Sequence, residues 1–398
     1  MAAAVVSPRA TQTRVASIDA LRGFVMIIMA LDHVREFFYS DMIRPEDMAH
    51  STPALFLTRW ITHICAPVFM FTAGVGAFFW LRHRGRTNGQ LSQFLWKRGL
   101  WLVVLELTML RLGMNLDFFS GPVMLTVLWA LGWSMVALSV LVFLPVRVLA
   151  VASVVVIVSH NLLDGVSAGQ FGSAGWIWNI VHQQGMFRAG GMTVVVAYPL
   201  VPWIMVMAAG FCFGRIMLLD PEQRRQWLIR IGVGLTAAFV IVRGINRYGD
   251  PAPWSTQPPG MTVFSFLNCI KYPPSLDFLL MTLGPAILLL AWFDRVQFRR
   301  TNPLIVFGRV PLFYFLVHFF VAHGLALVCA LLRYGQAGFI LSVIPSRTGP
   351  DMRPADYGYS LLTVYAVWGT VVAILYPMCK WYSRVKERNP DWKWLSYV

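Results

Sequence analysis

The sequence predicts an all-α polytopic membrane protein with about ten transmembrane helices in one bundle. Three observations carry this reading. The chain of 398 residues is 57% hydrophobic and 13% charged, with mean hydropathy +0.62, which leaves more apolar surface than a water-soluble fold can hide. Apolar stretches long enough for a roughly 30 Å hydrocarbon core recur along the whole chain. The basic residues are unevenly shared between the connections, as the positive-inside rule requires.

In order, the stretches lie near 18–40, 56–80, 95–112, 122–143, 146–163, 194–218, 227–246, 275–293, 303–332 and 360–382. Pro145 leaves only a tight turn between the fourth and fifth, and "SAGWIWNIVH" in the 163–193 connection has the character of an interfacial helix. With the N-terminus in the cytoplasm, the inner segments hold 21 of the 33 Lys and Arg residues and the outer segments 10. Both termini are therefore expected to be cytoplasmic. The net charge of +15 is then a matter of topology and anionic lipid, and no nucleic-acid partner is needed.

Nothing before Ser17 resembles a cleavable signal, so the first span reads as an uncleaved anchor. Cys65, Cys212, Cys269, Cys329 and Cys379 are odd in number and show neither a disulfide framework nor a zinc spacing, so no metal is expected. No Ser/Gly-rich linker divides the chain. One integral-membrane domain is expected over 18–382, flanked by cytoplasmic tails at 1–17 and 383–398. The outer connections, such as "YGDPAPWSTQPPG", can either cover a site or simply be structured surface.

The first span, "IDALRGFVMIIMALDHVREFF", carries Asp19, Arg22, Asp32, His33, Arg35 and Glu36. Ionisable groups inside a membrane are costly and face protein or a watery cavity. On an α-helix, Arg22 and His33 are eleven positions apart, about 20° from three whole turns, and roughly 16 Å apart along the axis. One stripe therefore reads Asp19, Arg22, Met26, Met29, His33, Glu36. Two readings stand: a cavity-lining helix, or interfacial ion pairs marking the two headgroup zones. Histidine favours chemistry, because its unperturbed pKa near 6.5 allows it to take and return a proton at neutral pH. Glu36 or Asp32 is the candidate for holding its second ring nitrogen.

"SIDALRGFVMII" followed by a histidine eleven residues after the arginine resembles the opening helix of the integral-membrane acyltransferase superfamily. That superfamily includes acyltransferase family three and the heparan-α-glucosaminide N-acetyltransferase group. "HICAPVFMFTAGVGAFF", "YPLVPWIMVMAAGFCFGR", "KYPPSLDFLLMTLGP" and "FGRVPLFYFLVHFFVAH" are similar to bacterial relatives of the latter group. The resemblance implies an enzyme that takes an acetyl group from cytoplasmic acetyl-CoA and delivers it to a carbohydrate-like acceptor. In the heparan branch the histidine lies in the outer loop after the first helix; in acyltransferase family three it lies on the helix. This chain has both His33 and His50, so both are candidate bases, with Asp32 or Glu36 as the orienting carboxylate.

The remaining candidates divide by side. Arg22 suits a pantetheine or phosphate contact, given its distance from His33. Arg82, Arg84, Arg86, Arg98, Arg299, Arg300 and Arg309 fall on the cytoplasmic face, where they suit either CoA phosphates or anionic lipid. His63 and Lys271 are candidate acceptor contacts, as are Tyr314 and His318, which share a helical face. There is no P-loop, dinucleotide fingerprint, HExxH or GxSxG, so those chemistries have no support. The rival class is a transporter or exporter of a small polar or anionic solute that uses the same stripe as its path.

Overall fold

The computed structural model describes residues 15–40, 44–82, 85–116, 121–258, 260–341, 352–389, 391–392 and 395. The chain opens with α1 (Ala16–Phe38), followed by α2 (Pro53–Trp60), a 3-10 turn at Ile61–Ile64, and α3 (Cys65–Arg82). Next come α4 (Asn88–Leu105), a π-helical turn at Glu106–Leu110, α5 (Arg111–Asn115), β1 (Val123–Leu125), α6 (Val127–Leu141), α7 (Val146–Ser159) and α8 (Gly175–Val181). Strands β2 (Gly185–Ala189) and β3 (Met192–Val196) lead into α9 (Val201–Phe213), α10 (Pro221–Ile245), α11 (Thr262–Leu267) and α12 (Leu276–Phe293). The chain continues through α13 (Pro303–Arg309), α14 (Pro311–Tyr334) and α15 (Leu361–Arg388).

The helical membrane architecture follows the sequence, with two differences beside the span count. Among the described residues, seven helical stretches are long and apolar enough to cross a membrane. The first and third expected spans are not among them, because α1 holds its six ionisable groups and the α4 stretch holds Lys97, Arg98 and Glu106; α6 is apolar but only 15 residues long. The fold is also not purely helical. A three-stranded sheet runs β1-β3-β2, with β1 parallel and β2 antiparallel to β3. Its hairpin turns at Gly190 and Gly191, both at positive φ, the geometry a two-residue turn demands. Finally, the expected 303–332 span breaks at Val310, where Pro311 opens a new helix and offers no N–H to the preceding one. The prolines of "YPLVPW" likewise begin a helix: Pro202 sits in the first turn of α9, where it is compatible with helix geometry.

Close backbone approach organises the bundle. A Cβ on Gly23 would stand 1.8 Å from the Leu304 carbonyl oxygen, and one on Gly308 would stand 1.8 Å from that of Asp19, so α1 and α13 touch backbone to backbone. Gly74 and Gly210 do the same for α3 and α9, and Gly99 and Gly132 for α4 and α6. Small residues at helix crossings are the usual means of close packing in membranes. As a result α1 is enclosed by α3, α12, α13, α14 and α15, and its acids are turned into protein: Asp19 is 4% exposed and Asp32 6%.

Glu106 explains why an acid sits in the third apolar stretch. Its carboxylate accepts the Thr126 N–H (2.7 Å) and hydroxyl (2.6 Å), and the Leu128 (3.0 Å) and Trp129 (3.1 Å) N–H groups. It therefore caps the start of α6 from the π-helical turn of a neighbouring helix. Glu106→Ala would orphan buried donors at about 1–3 kcal/mol each, so we expect a loss of at least about 3 kcal/mol. Thermal unfolding in detergent checks this; an unchanged midpoint would contradict it.

Candidate active site

The stripe on α1 lines two neighbouring cavities. The first, about 260 Å³, is lined by Arg22 and Met26 of α1, Thr72, Gly76 and Trp80 of α3, Phe94 and Arg98 of α4, and apolar residues of α6 and α14. The second, about 180 Å³, is lined by Met29, Asp32, His33 and Glu36 together with Arg59, Tyr198, Lys271 and Tyr272. Phe69, Val127 and Phe315 belong to both walls. One face of one helix thus passes from an arginine cavity to a histidine cavity, as its periodicity predicts.

His33 has a defined tautomer. Its Nδ1 stands 2.9 Å from Glu36 Oε2; a carboxylate accepts, so Nδ1 carries a proton, and in the neutral ring the lone pair is on Nε2. The ring lies 4.4 Å from Phe319 and 5.2 Å from His318, centroid to centroid. Behind it, His318 donates Nδ1–H to the Phe315 carbonyl at 2.5 Å, and its buried Nε2 has no partner among the described residues. Tyr314 stacks at 5.9 Å from His318, and neither residue lines either cavity. His63 is 2% exposed, packs against Phe278 and also stays outside both walls.

Of the two carboxylates considered for orienting His33, Glu36 makes the contact and Asp32 does not. Asp32 is clamped between Arg35 (3.1 Å) and Arg59, and Arg59 Nε reaches on to Glu46 at 2.8 Å. Charge-assisted pairs of this kind are strong only when fully partnered; here they bind α1 to α2 and form one wall of the second cavity. His50 sits on an exposed turn, its Nδ1 2.8 Å from Asp47. That hydrogen bond holds the Asp47 carboxyl below its ordinary range, and His50 lines neither cavity.

The cationic candidates separate sharply. The Arg22 guanidinium donates to the Thr72 carbonyl, in space that Gly76 leaves open. Arg98 shares the first cavity with it. Arg86 lies 3.9 Å over the Trp80 ring, which is itself stacked on Phe94 at 4.5 Å, so a cation and two aromatic faces stand together at the cavity edge. Arg82 lies over Phe78, Arg299 and Arg300 are exposed, and Arg309 pairs with Glu387 at 2.7 Å; none of them lines a cavity. Arg84 lies outside the described residues.

Lys271 reaches the second cavity, 5.1 Å from the Tyr272 ring, and Tyr272 bonds hydroxyl to hydroxyl with Tyr198 at 3.3 Å. Arg59, Tyr198, Trp80 and Phe94 were not singled out from the sequence. A charge in "LTRWITH" and the tyrosine of "YPLVPW" were the available signals.

The geometry is that of two polar-edged cavities meeting beside a histidine with a free nitrogen. Comparison with known proteins agrees with the motifs. No curated protein matches the chain, but the family described as heparan-alpha-glucosaminide N-acetyltransferase, catalytic, matches residues 14–244. That match covers α1 through α9 and nearly all of α10, which includes most of both cavity linings. The chain belongs to the heparan-α-glucosaminide N-acetyltransferase catalytic family.

Proposed function

We propose that the protein moves an acetyl group from cytoplasmic acetyl-CoA to an amine or hydroxyl of a carbohydrate-like acceptor at the outer side. The observation that carries this reading is the common wall: two cavities, one cationic and aromatic, one bearing His33, meet at Phe69, Val127 and Phe315. The pantetheine arm enters beside Arg22 and Arg98, with Arg86 and Trp80 near the nucleotide end. The acceptor lies between His33, Tyr198, Tyr272 and Lys271. Its nitrogen or oxygen attacks the thioester carbonyl while His33 Nε2 takes the proton; the C–S bond then breaks, and the leaving CoA thiolate takes that proton back from the imidazolium. Glu36 holds the imidazolium that forms.

Arg22→Ala combined with Arg98→Ala is expected to weaken acetyl-CoA binding at least tenfold, because each charge-assisted contact contributes about 1.5–3 kcal/mol. Arg299→Ala with Arg300→Ala is expected to change it little. Equilibrium binding of acetyl-CoA to the purified protein checks both. Equal weakening by the two pairs would move the donor away from the first cavity.

The same reading places ten spans in a bacterial inner membrane, both termini in the cytoplasm, and the integral domain at 18–382. Reporter fusions at Gly89 and Gly260 should report opposite sides; the same side for both would exclude this topology. The exporter alternative uses the same stripe, and it separates from the enzyme on one readout: only the enzyme releases a free CoA thiol from acetyl-CoA.

A further inference from the structure

Away from the two cavities, three side chains of the 160–182 region converge. His160 begins the 3-10 turn after α7, Asp164 follows that turn, and His182 follows α8. One ligand atom from each lies within 4.8 Å of the others. Both rings are buried, His160 at 2% and His182 at 3% exposure, with centroids 5.6 Å apart. We propose that His160, Asp164 and His182 form a divalent transition-metal site, best suited to zinc.

The chemistry of each group supports this. His182 Nε2 stands 3.0 Å from the His160 carbonyl oxygen; a carbonyl only accepts, so the lone pair is on Nδ1. Trp178 stacks on that ring at 5.2 Å and 26°, which fixes its plane. A ligating histidine held by a backbone carbonyl on its other nitrogen is the usual arrangement in metal sites. The Pro274 carbonyl stands beside the His160 ring, yet neither buried ring nitrogen of His160 makes a well-formed hydrogen bond among the described residues. A buried imidazole in that state is unsatisfied unless something binds it. Asp164 is exposed and is steered by Asn161 Nδ2 at 2.8 Å.

Two imidazoles and one carboxylate, with the carboxylate side open to water, match a three-ligand zinc site with a free fourth position. Ligands about 2.1 Å from a tetrahedral zinc stand roughly 3.4 Å apart, so the cluster, whose ligand atoms lie within 4.8 Å of one another, closes by at most about 1.4 Å on binding, through the exposed Asp164 and rotation of the rings. The consequence reaches the second cavity. Asn161 Oδ1 also accepts the Leu276 N–H at 2.9 Å, so the ion would brace the start of α12, just past Lys271 and Tyr272. The ligands are spaced irregularly along the chain, so no metal motif is visible in the sequence.

The test is a cobalt(II) titration of the chelator-stripped full chain after removal of any histidine tag, followed by zinc displacement. The expected result is one cobalt per chain, with a visible d–d band that zinc abolishes. His182→Gln should remove the band, and Asp164→Ala, at an exposed position, should weaken cobalt binding at least about tenfold. No bound cobalt in the wild type would overturn the proposal. So would equal binding by wild type, Asp164→Ala and His182→Gln.

Discussion

His33→Ala is expected to abolish acyl transfer while leaving acetyl-CoA bound. His33 lines the second cavity, whereas Arg22, the proposed donor contact on the same stripe, lines the first. Removing the imidazole therefore removes the proton acceptor and little of the donor contact. General-base catalysis contributes about 10²–10⁴-fold, and single-turnover transfer by folded, CoA-binding protein should fall by that much. Glu36→Gln keeps an acceptor for Nδ1–H but loses the charge that stabilises the imidazolium, so an intermediate loss is expected. His50→Ala should retain most activity, since His50 faces solvent with Asp47. Normal transfer by the His33 variant together with loss in the His50 variant would make the outer-loop histidine the base.

Gly23→Val is expected to prevent the bundle from closing. A Cβ there would meet the Leu304 carbonyl oxygen at 1.8 Å and the Leu304 Cα at 2.7 Å. These are backbone atoms and cannot rotate aside, so α1 must leave α13. Overpacking a tight site costs about 1–3 kcal/mol when side chains absorb it; with backbone on both sides, more than about 4 kcal/mol is expected. Gly234 on α10 is the internal comparison, because a Cβ there meets nothing within 4 Å. Gly234→Ala should be neutral or stabilising by up to about 1 kcal/mol from helix propensity. Size-exclusion profiles and thermal melts in one detergent distinguish the two. A monodisperse, wild-type-like Gly23→Val protein would contradict the packing account.

The Gly23 result also shows what the sequence made legible. The stripe Arg22, Met26, Met29, His33, Glu36 was readable because helical period and the cost of charge in a membrane both act locally. Gly23 and Gly308 lie in motifs that the sequence displayed, but their reason, contact between α1 and α13, depends on two segments far apart in the chain. The choice between Asp32 and Glu36 stayed open for the same reason: the Arg59 that pairs with Asp32 lies in the next span, far along the chain. The Glu106 carboxylate could not be interpreted alone, since the N–H groups it caps belong to residues 126–129. The small sheet was hidden because its strands are only three to five residues long and lie next to helices, with only Gly190–Gly191 as a local sign.

The positions of the arginines test the same limit. Charge placement predicts a side of the membrane for each connection, yet it does not say which cations face a cavity. Arg22 and Arg98 line the first one, while Arg299 and Arg300 remain exposed. Facing depends on helix rotation within the bundle, and that is fixed by the glycine contacts above.

The most direct test of the central claim is a structure of the purified protein with a non-transferable acetyl-CoA analogue. The account predicts the pantetheine arm between Arg22 and Arg98, with the acyl carbonyl at the Phe69–Val127–Phe315 wall, facing His33. An analogue bound elsewhere, or a polar solute threaded along the α1 stripe with no analogue in the first cavity, would contradict it.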